Sequence, residues 1–219
     1  MQRLNYSKLT NEQFLNLYRQ LEEIRAEKPE TYCFYKNKFY QKLNDYREIR
    51  NYLTHEQYEG DYPIAVSSKV CLDFELILKR MKETSYSRSN KNITFLYQVD
   101  NIEKALTLFK ENGYTYLPLV DEHKKVKGIV SSYSLLKLIS NKKISYKDKL
   151  SSYLDSFNLN DETKRFLFLS KYEPLSTAEK EFSLIKENKR LGLIFITENG
   201  KKEESILGIL SIYDITSLK

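Results

Sequence analysis

The chain is poor in the residues that build metal centres and disulfide frameworks. Its 219 residues include two cysteines, Cys33 and Cys71, and two histidines, His55 and His123. The cysteines are not in a metal-ligand spacing, so a reduced compartment is the simplest expectation. Two histidines leave no ligand set for a histidine-rich zinc site. Long apolar runs are missing as well: none approaches the ~20 residues needed to cross a bilayer, and the opening MQRLNYSKL carries no secretory apolar segment. These absences predict a soluble, cytoplasmic protein without a metal. The chain also lacks GxGxxG and GxxxxGK[ST], which removes the Rossmann and P-loop nucleotide sites. It lacks the GxSxG elbow of serine hydrolases.

Charge excludes a further class. The net charge is +6, but residues 1–89 hold 15 basic and 13 acidic side chains and residues 90–219 hold 21 and 17. Neither part has the concentrated basic footprint of a duplex-DNA binder. Eighteen tyrosines could stack on bases, or could reflect an AT-rich coding sequence rich in Lys, Asn, Ile and Tyr codons. The carboxylate pairs Glu22-Glu23 and Glu203-Glu204 read as solvated faces or turns.

What is present is a repeat. IEKALTLFKENGYTYLPLV, residues 102–120, lies without a gap over AEKEFSLIKENKRLGLIFI, residues 178–196, at an offset of 76. Each copy continues through a polar turn into a second apolar strand that opens with glycine, GIVSSYSLL from Gly128 and GILSIYDIT from Gly208. A fixed-offset repeat means one supersecondary unit used twice. In the first copy Ile102, Ala105, Leu106 and Phe109 fall at helical spacing, Asp100 or Asn101 offers an N-cap, and Asn112-Gly113 stops the helix. Leu117, Leu119 and Val120 then predict a strand, Asp121 to Lys125 a turn, Gly128 to Val130 a second strand, and Leu135, Leu136 and Ile139 a second helix. The second copy predicts the same order, with Phe182 and Ile185 on its helix, Leu193 to Ile196 and Gly208 to Leu210 as strands, and a Glu198-Asn199-Gly200 turn.

Residues 1–89 lack the repeat. Phe14, Leu17, Tyr18, Leu21 and Ile24 recur at three and four, as in an amphipathic helix, with capping chemistry in Thr10-Asn11-Glu12-Gln13. After Pro29 a second helix is predicted through Tyr35, Phe39, Leu43, Tyr46, Ile49 and Leu53. The turn Gly60-Asp61-Tyr62-Pro63 precedes a third, through Val66, Val70, Phe74, Ile77 and Met81. Ser85 to Asn90 reads as a linker. So small a helical unit is near the size at which a lone core is marginal.

Two resemblances follow from these residues. Arg50-Asn51-Tyr52-Leu53-Thr54-His55 resembles the Arg-Asn-x-x-x-His signature of HEPN domains, helical modules that include metal-independent ribonucleases. The resemblance implies His55 as general acid/base, Arg50 as phosphate clamp and Asn51 as orienting group. It is also compatible with an inactive HEPN dimerisation helix bearing a polar patch.

The repeat resembles the CBS domain, which occurs in pairs (Bateman modules) whose cleft binds adenosine nucleotides. The family's ligand motif is glycine, two aliphatics, Ser/Thr, two free positions and Asp. The second copy has it in full, Gly208-Ile209-Leu210-Ser211-Ile212-Tyr213-Asp214. The resemblance implies that Ser211 binds phosphate, at a helix start that favours an anion, and that Asp214 takes the ribose hydroxyls. It also implies an adenine wall from Arg190-Leu191-Gly192 and Ser170-Lys171-Tyr172, with Arg190 and Lys171 as phosphate partners. In the first copy Ser131 keeps the hydroxyl but Ser134 replaces the aspartate, which implies a weaker second site with Tyr114 and Tyr116 in its wall. The alternative is that Asp214 serves only the helix N-terminus.

The expectation is an α+β protein: a small antiparallel HEPN-like helical domain with a linker over 1–89, then a CBS pair over 90–219. The pair comprises two β-α-β-β-α units at about 90–142 and 165–219 joined by a connecting segment, 143–164. It would act as a homodimeric regulator binding AMP, ADP or ATP and relaying that state to the helical domain, or as a nucleotide-gated ribonuclease, with RNA a partner only in the second case.

Overall fold

A computed structural model describes residues 2–55, 62–141, 144–159 and 164–216, with side chains from Leu9 onward except that of Asn141. The fold is α+β, with N-terminal helices followed by a β-α-β-β-α unit and a second unit of the same order with one additional short strand, β-α-β-β-β-α. The chain divides into two compact units, Met1–Glu83 with Pro174–Thr177, and Thr84–Glu173 with Ala178–Lys219.

The first unit contains α1 (Gln2–Glu27), α2 (Pro29–Lys38), α3 (Tyr40–His55) and α4 (Ser68–Lys82). The apolar stripes do what their spacing requires. Phe14, Leu17, Leu21 and Ile24 of α1 share one buried core with Tyr35, Leu43, Tyr46, Leu53, Phe74, Ile77 and Met81. Phe74 sits at its centre, its ring 4.4 Å from Tyr46 and 5.5 Å from Phe14. The stripe expected to form one helix from Tyr35 to Leu53 is two: Phe39 leaves helical geometry at φ −114, ψ 34, and the stripe crosses that break. Proline at the first turn of α2 is where its missing N–H costs nothing.

Thr10-Asn11 is not a helix start, because α1 begins eight residues earlier. Asn11 is instead buried. Its amide donates to the Ile64 carbonyl at 2.8 Å and its oxygen accepts from the Val66 N–H at 2.8 Å. One side chain thereby satisfies a carbonyl and an N–H of the chain entering α4. Gly60 and Asp61 of the expected turn lie outside the described residues.

The second unit opens with α5 (Ser85–Arg88), one helical turn closed by a reciprocal capping box between Thr84 and Ser87, where the sequence suggests a linker. The first copy follows as β1 (Leu96–Tyr97), α6 (Ile102–Asn112), β2 (Tyr116–Val120), β3 (Val126–Ser131) and α7 (Ser132–Asn141). Asn101 caps α6, accepting from the Lys104 N–H at 2.9 Å, and Gly113 ends it in the left-handed region at φ +63. The sheet runs β1-β2-β3, parallel then antiparallel. Residues Leu150–Phe157 form a 3-10 segment whose buried Leu150 and Phe157 complete the first copy's core.

The second copy has β4 (Lys164–Ser170), α8 (Leu175–Ser183), β5 (Ile185–Lys186), β6 (Lys189–Thr197), β7 (Gly208–Leu210) and α9 (Ile212–Thr216). β6 pairs with β4 in parallel and with β5 and β7 antiparallel. Here the gapless repeat misleads. α8 stops at Ser183, and Ile185 is not on a helix but in a short hairpin, 61% exposed. Glu187 and Asn188 turn that hairpin with φ +51 and +60, the backbone signature of a two-residue hairpin loop. Arg165 caps the shortened helix, donating to the Glu181 carbonyl at 2.6 Å and its carboxylate at 2.7 Å.

The two sheets meet through a shared core of Val120, Val126 and Ile129 with Leu193, Phe195 and Ile206. Their turns are also bonded, the Ile206 N–H to the Lys124 carbonyl at 3.0 Å and the Ser205 hydroxyl to the His123 carbonyl at 2.7 Å. The two repeat glycines explain themselves here. A Cβ on Gly128 would strike the Phe157 carbonyl oxygen, and one on Gly208 would strike the Ser89 hydroxyl. Each copy's glycine strand is crossed by the segment that leads into the other copy. Asn90 exchanges backbone bonds with Ile209 at 2.9 and 3.0 Å.

Candidate functional site

The motif residues gather where β3 meets α7 and where β7 meets α9. In the second copy Ser211 donates from its hydroxyl to Asp214 Oδ2 at 2.6 Å and from its backbone N–H to the same oxygen at 2.7 Å. In the first copy the Ser131 N–H donates to the Ser134 hydroxyl at 2.9 Å, and the Ser134 N–H donates to the Ser131 hydroxyl at 2.9 Å. The first copy's pair is a reciprocal capping box, and in the second the Asp214 carboxylate likewise accepts from the Ser211 N–H. The side chain three positions into the helix turns back on the hydroxyl before it. The aspartate and the serine do the same local work with different chemistry: a carboxylate in one copy, a neutral hydroxyl in the other.

Register decides which other candidates share this end of the sheet. β7 is antiparallel to β6 with Leu210 level with Ile194, so Ser211 follows on beside Leu193. Leu191, Gly192 and Arg190 therefore lie towards the same end. Leu191 is buried against the helices, with Ile194 and Leu210, and offers no wall to a ligand. Gly192 is the extra residue of a β-bulge, since Arg165 is level with Leu191 and Phe166 with Leu193. A Cβ there would meet the Phe166 ring at 2.8 Å, so Phe166 covers the position. Gly208 faces Ser89, and its lack of a side chain is required by packing rather than by a ligand.

Lys171 and Tyr172 are not brought to this end. β4 and β6 are parallel and Ser170 is level with Thr197, which puts Lys171 about five residues, or ~16 Å, along the sheet from Ser211. There Lys171 pairs with Glu198 at 2.7 Å beneath the Tyr172 ring. The bond to Glu198 and then that to Tyr172 hold its ammonium pKa above the usual lysine value.

In the first copy Tyr116 is level with Ser131, and Tyr114 shares a 3.0 Å hydrogen bond with Thr94, so all four candidates share one end. Tyr116 also meets Phe166 of the second copy edge to face at 5.6 Å. Phe166 and its strand neighbour Lys164 are missed by motif reading. The signal for them was the alternation Lys164, Phe166, Phe168 against Arg165, Leu167, Leu169.

On α3, Arg50, Asn51 and His55 do come together. Arg50 Nη1 lies 3.5 Å from His55 Nε2 and donates to Asn51 Oδ1 at 3.3 Å, with the guanidinium 5.8 Å above the Tyr18 ring. Among the described residues no group of three or more His, Cys, Asp or Glu is placed to hold a metal, and no helix is long and apolar enough to cross a membrane.

Residues 85–141, from α5 through α7, match the CBS domain family. No curated protein matches the chain. Among solved structures it is similar to a hemolysin-like protein containing a CBS domain from Oenococcus oeni PSU (14% identity, 64% of this chain, 93% of that one, TM-score 0.46). It is similar also to the CBS domain pair of protein MJ0100 in complex with 5′-methylthioadenosine and S-adenosyl-L-methionine (19%, 61% and 93%, TM-score 0.44). A third is CbpB in complex with c-di-AMP (14%, 68% and 90%, TM-score 0.47).

Proposed function

We propose that the protein is a regulator that binds an adenosine nucleotide at the β7–α9 junction of its second copy. The observation that carries this reading is the contact between Ser211 and Asp214 at 2.6 Å, at the end of a strand in the second of two units whose first matches the CBS family. The pair is poised for exchange. A ribose hydroxyl takes the place of the Ser211 hydroxyl on the Asp214 carboxylate, and the Ser211 hydroxyl is released to a phosphate oxygen. Arg190 supplies positive charge on the same side. The first copy, with Ser134 in place of the carboxylate, binds more weakly.

A ligand that grips one arrangement of the two copies more tightly than another biases that arrangement, and through it the state of the helical unit of a homodimer. Isothermal titration with AMP, ADP and ATP tests the reading. Saturable binding that disappears in Asp214→Ala supports it, and no heat with any adenosine compound rejects it.

The clustering of Arg50, Asn51 and His55 favours a second reading, a metal-independent ribonuclease in which His55 moves a proton and Arg50 holds the scissile phosphate. Cleavage of a mixed RNA pool in EDTA, lost in His55→Ala, is its expected outcome; an RNA pool left intact by the parent protein rejects it.

A further inference from the structure

Where the turns of the two copies meet there is a cleft of about 350 Å³, lined by Lys125, Val126 and Lys127 of the first copy and Lys202 and Glu203 of the second. It lies away from the serine motifs. Lys127 stands near the start of β3 and Ser131 at its end, four residues or ~13 Å along the strand. Lys202 and Glu203 precede β7, whereas Ser211 follows it.

The longer second turn builds this cleft. Residues 121–125 join β2 to β3, but residues 198–207 join β6 to β7. The extra length is fastened to the first copy, the Ile206 N–H to the Lys124 carbonyl at 3.0 Å and the Ser205 hydroxyl to the His123 carbonyl at 2.7 Å. The walls are therefore set by bonds between the turns. Lys127 is the extra residue of a bulge, since Leu119 is level with Gly128 and Val120 with Val126, and bulges re-aim side chains.

Each turn uses a carboxylate on its own backbone. Asp121 accepts from the His123 and Lys125 N–H groups at 3.0 and 2.9 Å and also pairs with Lys127 at 3.2 Å. Glu204 accepts from the Asn199 N–H and side-chain amide, both at 2.8 Å. Glu198 is taken by Lys171, and Glu122 lies 3.6 Å from His123. Lys125, Lys202 and Glu203 line the cleft without an ion-pair partner among the described residues. A concave site with ammonium groups in excess concentrates anions. The one apolar residue of the lining, Val126, is buried in the core between the sheets, so nothing here stacks on a base, and sites for organic ligands are mostly apolar and aromatic.

We propose that this cleft is an anion site for a small phosphate, held by Lys125 and Lys127 of the first copy and Lys202 of the second. Glu203 sets its size, because a long polyanion would lie against that carboxylate and a compact one need not. Its lysines come from both copies, so the bound anion stabilises their joined turns. The site does not depend on Ser211 and Asp214.

The test is titration calorimetry and thermal melting of the full chain with inorganic phosphate, pyrophosphate and ATP at matched ionic strength. Pyrophosphate is expected to bind saturably, more weakly as salt rises, and to raise the melting temperature. A Lys125→Gln, Lys202→Gln double variant should lose at least ~10-fold in affinity, as two charge-assisted contacts imply. Lys201→Gln removes a charge from the same turn outside the cleft and should stay within ~2-fold, as should Asp214→Ala. Pyrophosphate displaced by ATP in the Asp214→Ala protein identifies the phosphate as one carried by a nucleotide; pyrophosphate left in place identifies a free anion. No saturable binding of phosphate or pyrophosphate, or affinity retained in the double variant, overturns the inference. So does an equal loss in Lys201→Gln, which would mark a diffuse field, or a loss in Asp214→Ala, which would put the anion at Ser211.

Discussion

Asp214 and Ser134 hold the same position in two copies of one unit, and the comparison separates two roles that one side chain combines. Each accepts the backbone N–H of the serine three residues before it, but only the carboxylate can accept both hydroxyls of a ribose. Asp214→Ser therefore keeps the cap that Ser134 already demonstrates. Its stability by chemical denaturation is expected within about 0.5 kcal/mol of the parent, with nucleotide affinity reduced at least ~10-fold in titration. Asp214→Ala loses both, the cap costing about 1 kcal/mol.

The glycines make a second residue-scale contrast. Gly128→Ala drives a methyl into the Phe157 backbone carbonyl, which cannot withdraw, whereas Gly208→Ala meets a side chain, Ser89. Both are expected to destabilise by about 1–3 kcal/mol, the range for overpacking. A Ser89→Gly replacement should recover much of the loss for Gly208→Ala and none for Gly128→Ala, read as coupling in a double-mutant cycle.

Among the elements, helices were legible wherever an apolar stripe met a real cap. Phe14 to Ile24 named the buried face of α1, and Asn101 and Gly113 bounded α6 by the chemistry expected of them. Asn11 defeated the same logic because its partners, Ile64 and Val66, are more than fifty residues away in sequence, and no local pattern encodes them. The β5–β6 hairpin was hidden differently. Its turn is Glu187-Asn188, which lacks the glycine that announces left-handed backbone, while the repeat supplied a helical reading. Replacing those two residues by Asn-Gly should stabilise the hairpin by about 1 kcal/mol, the usual cost of an ordinary residue in that conformation, seen as a higher melting temperature.

The candidate site was half legible for a related reason. Ser211 and Asp214 are neighbours in sequence, so a motif finds them. Lys164 and Phe166 reach the same end only through parallel pairing interrupted by a bulge, and the same register carries Lys171 and Tyr172 away from it.

For the whole molecule, acid is the informative stress. Lys42, and Tyr46 beside it, hold the Asp73 carboxyl below the usual carboxylate range. Burial pushes Glu181 up, but Lys186 and Arg165 outweigh it and leave the net shift downward. Backbone and side-chain bonds from Asn199 lower Glu204 to about 2. Each is a carboxyl whose folded pKa lies below its unfolded one, so the stability it contributes is present above the unfolded value and is lost as pH falls through the folded one. Melting temperature is expected to be flat above about pH 5 and to drop from pH 4.5 towards 2. Glu204→Gln should start lower and fall less steeply over the lowest part of that range, as thermal melts at closely spaced pH values would reveal.

The crossing of each glycine strand by the other copy's lead-in also sets a timetable for synthesis. Phe157 leaves the ribosome soon after Gly128, so the first copy can close while translation continues. Asn90 must wait for Ile209, a partner made roughly 120 residues later, and holding that place open costs only the slowly growing entropy of a longer loop. β7 is thus the strand that fastens down one of the earliest segments of its unit, and a nascent chain released before Gly208 would carry an unsealed second copy for quality control to recognise.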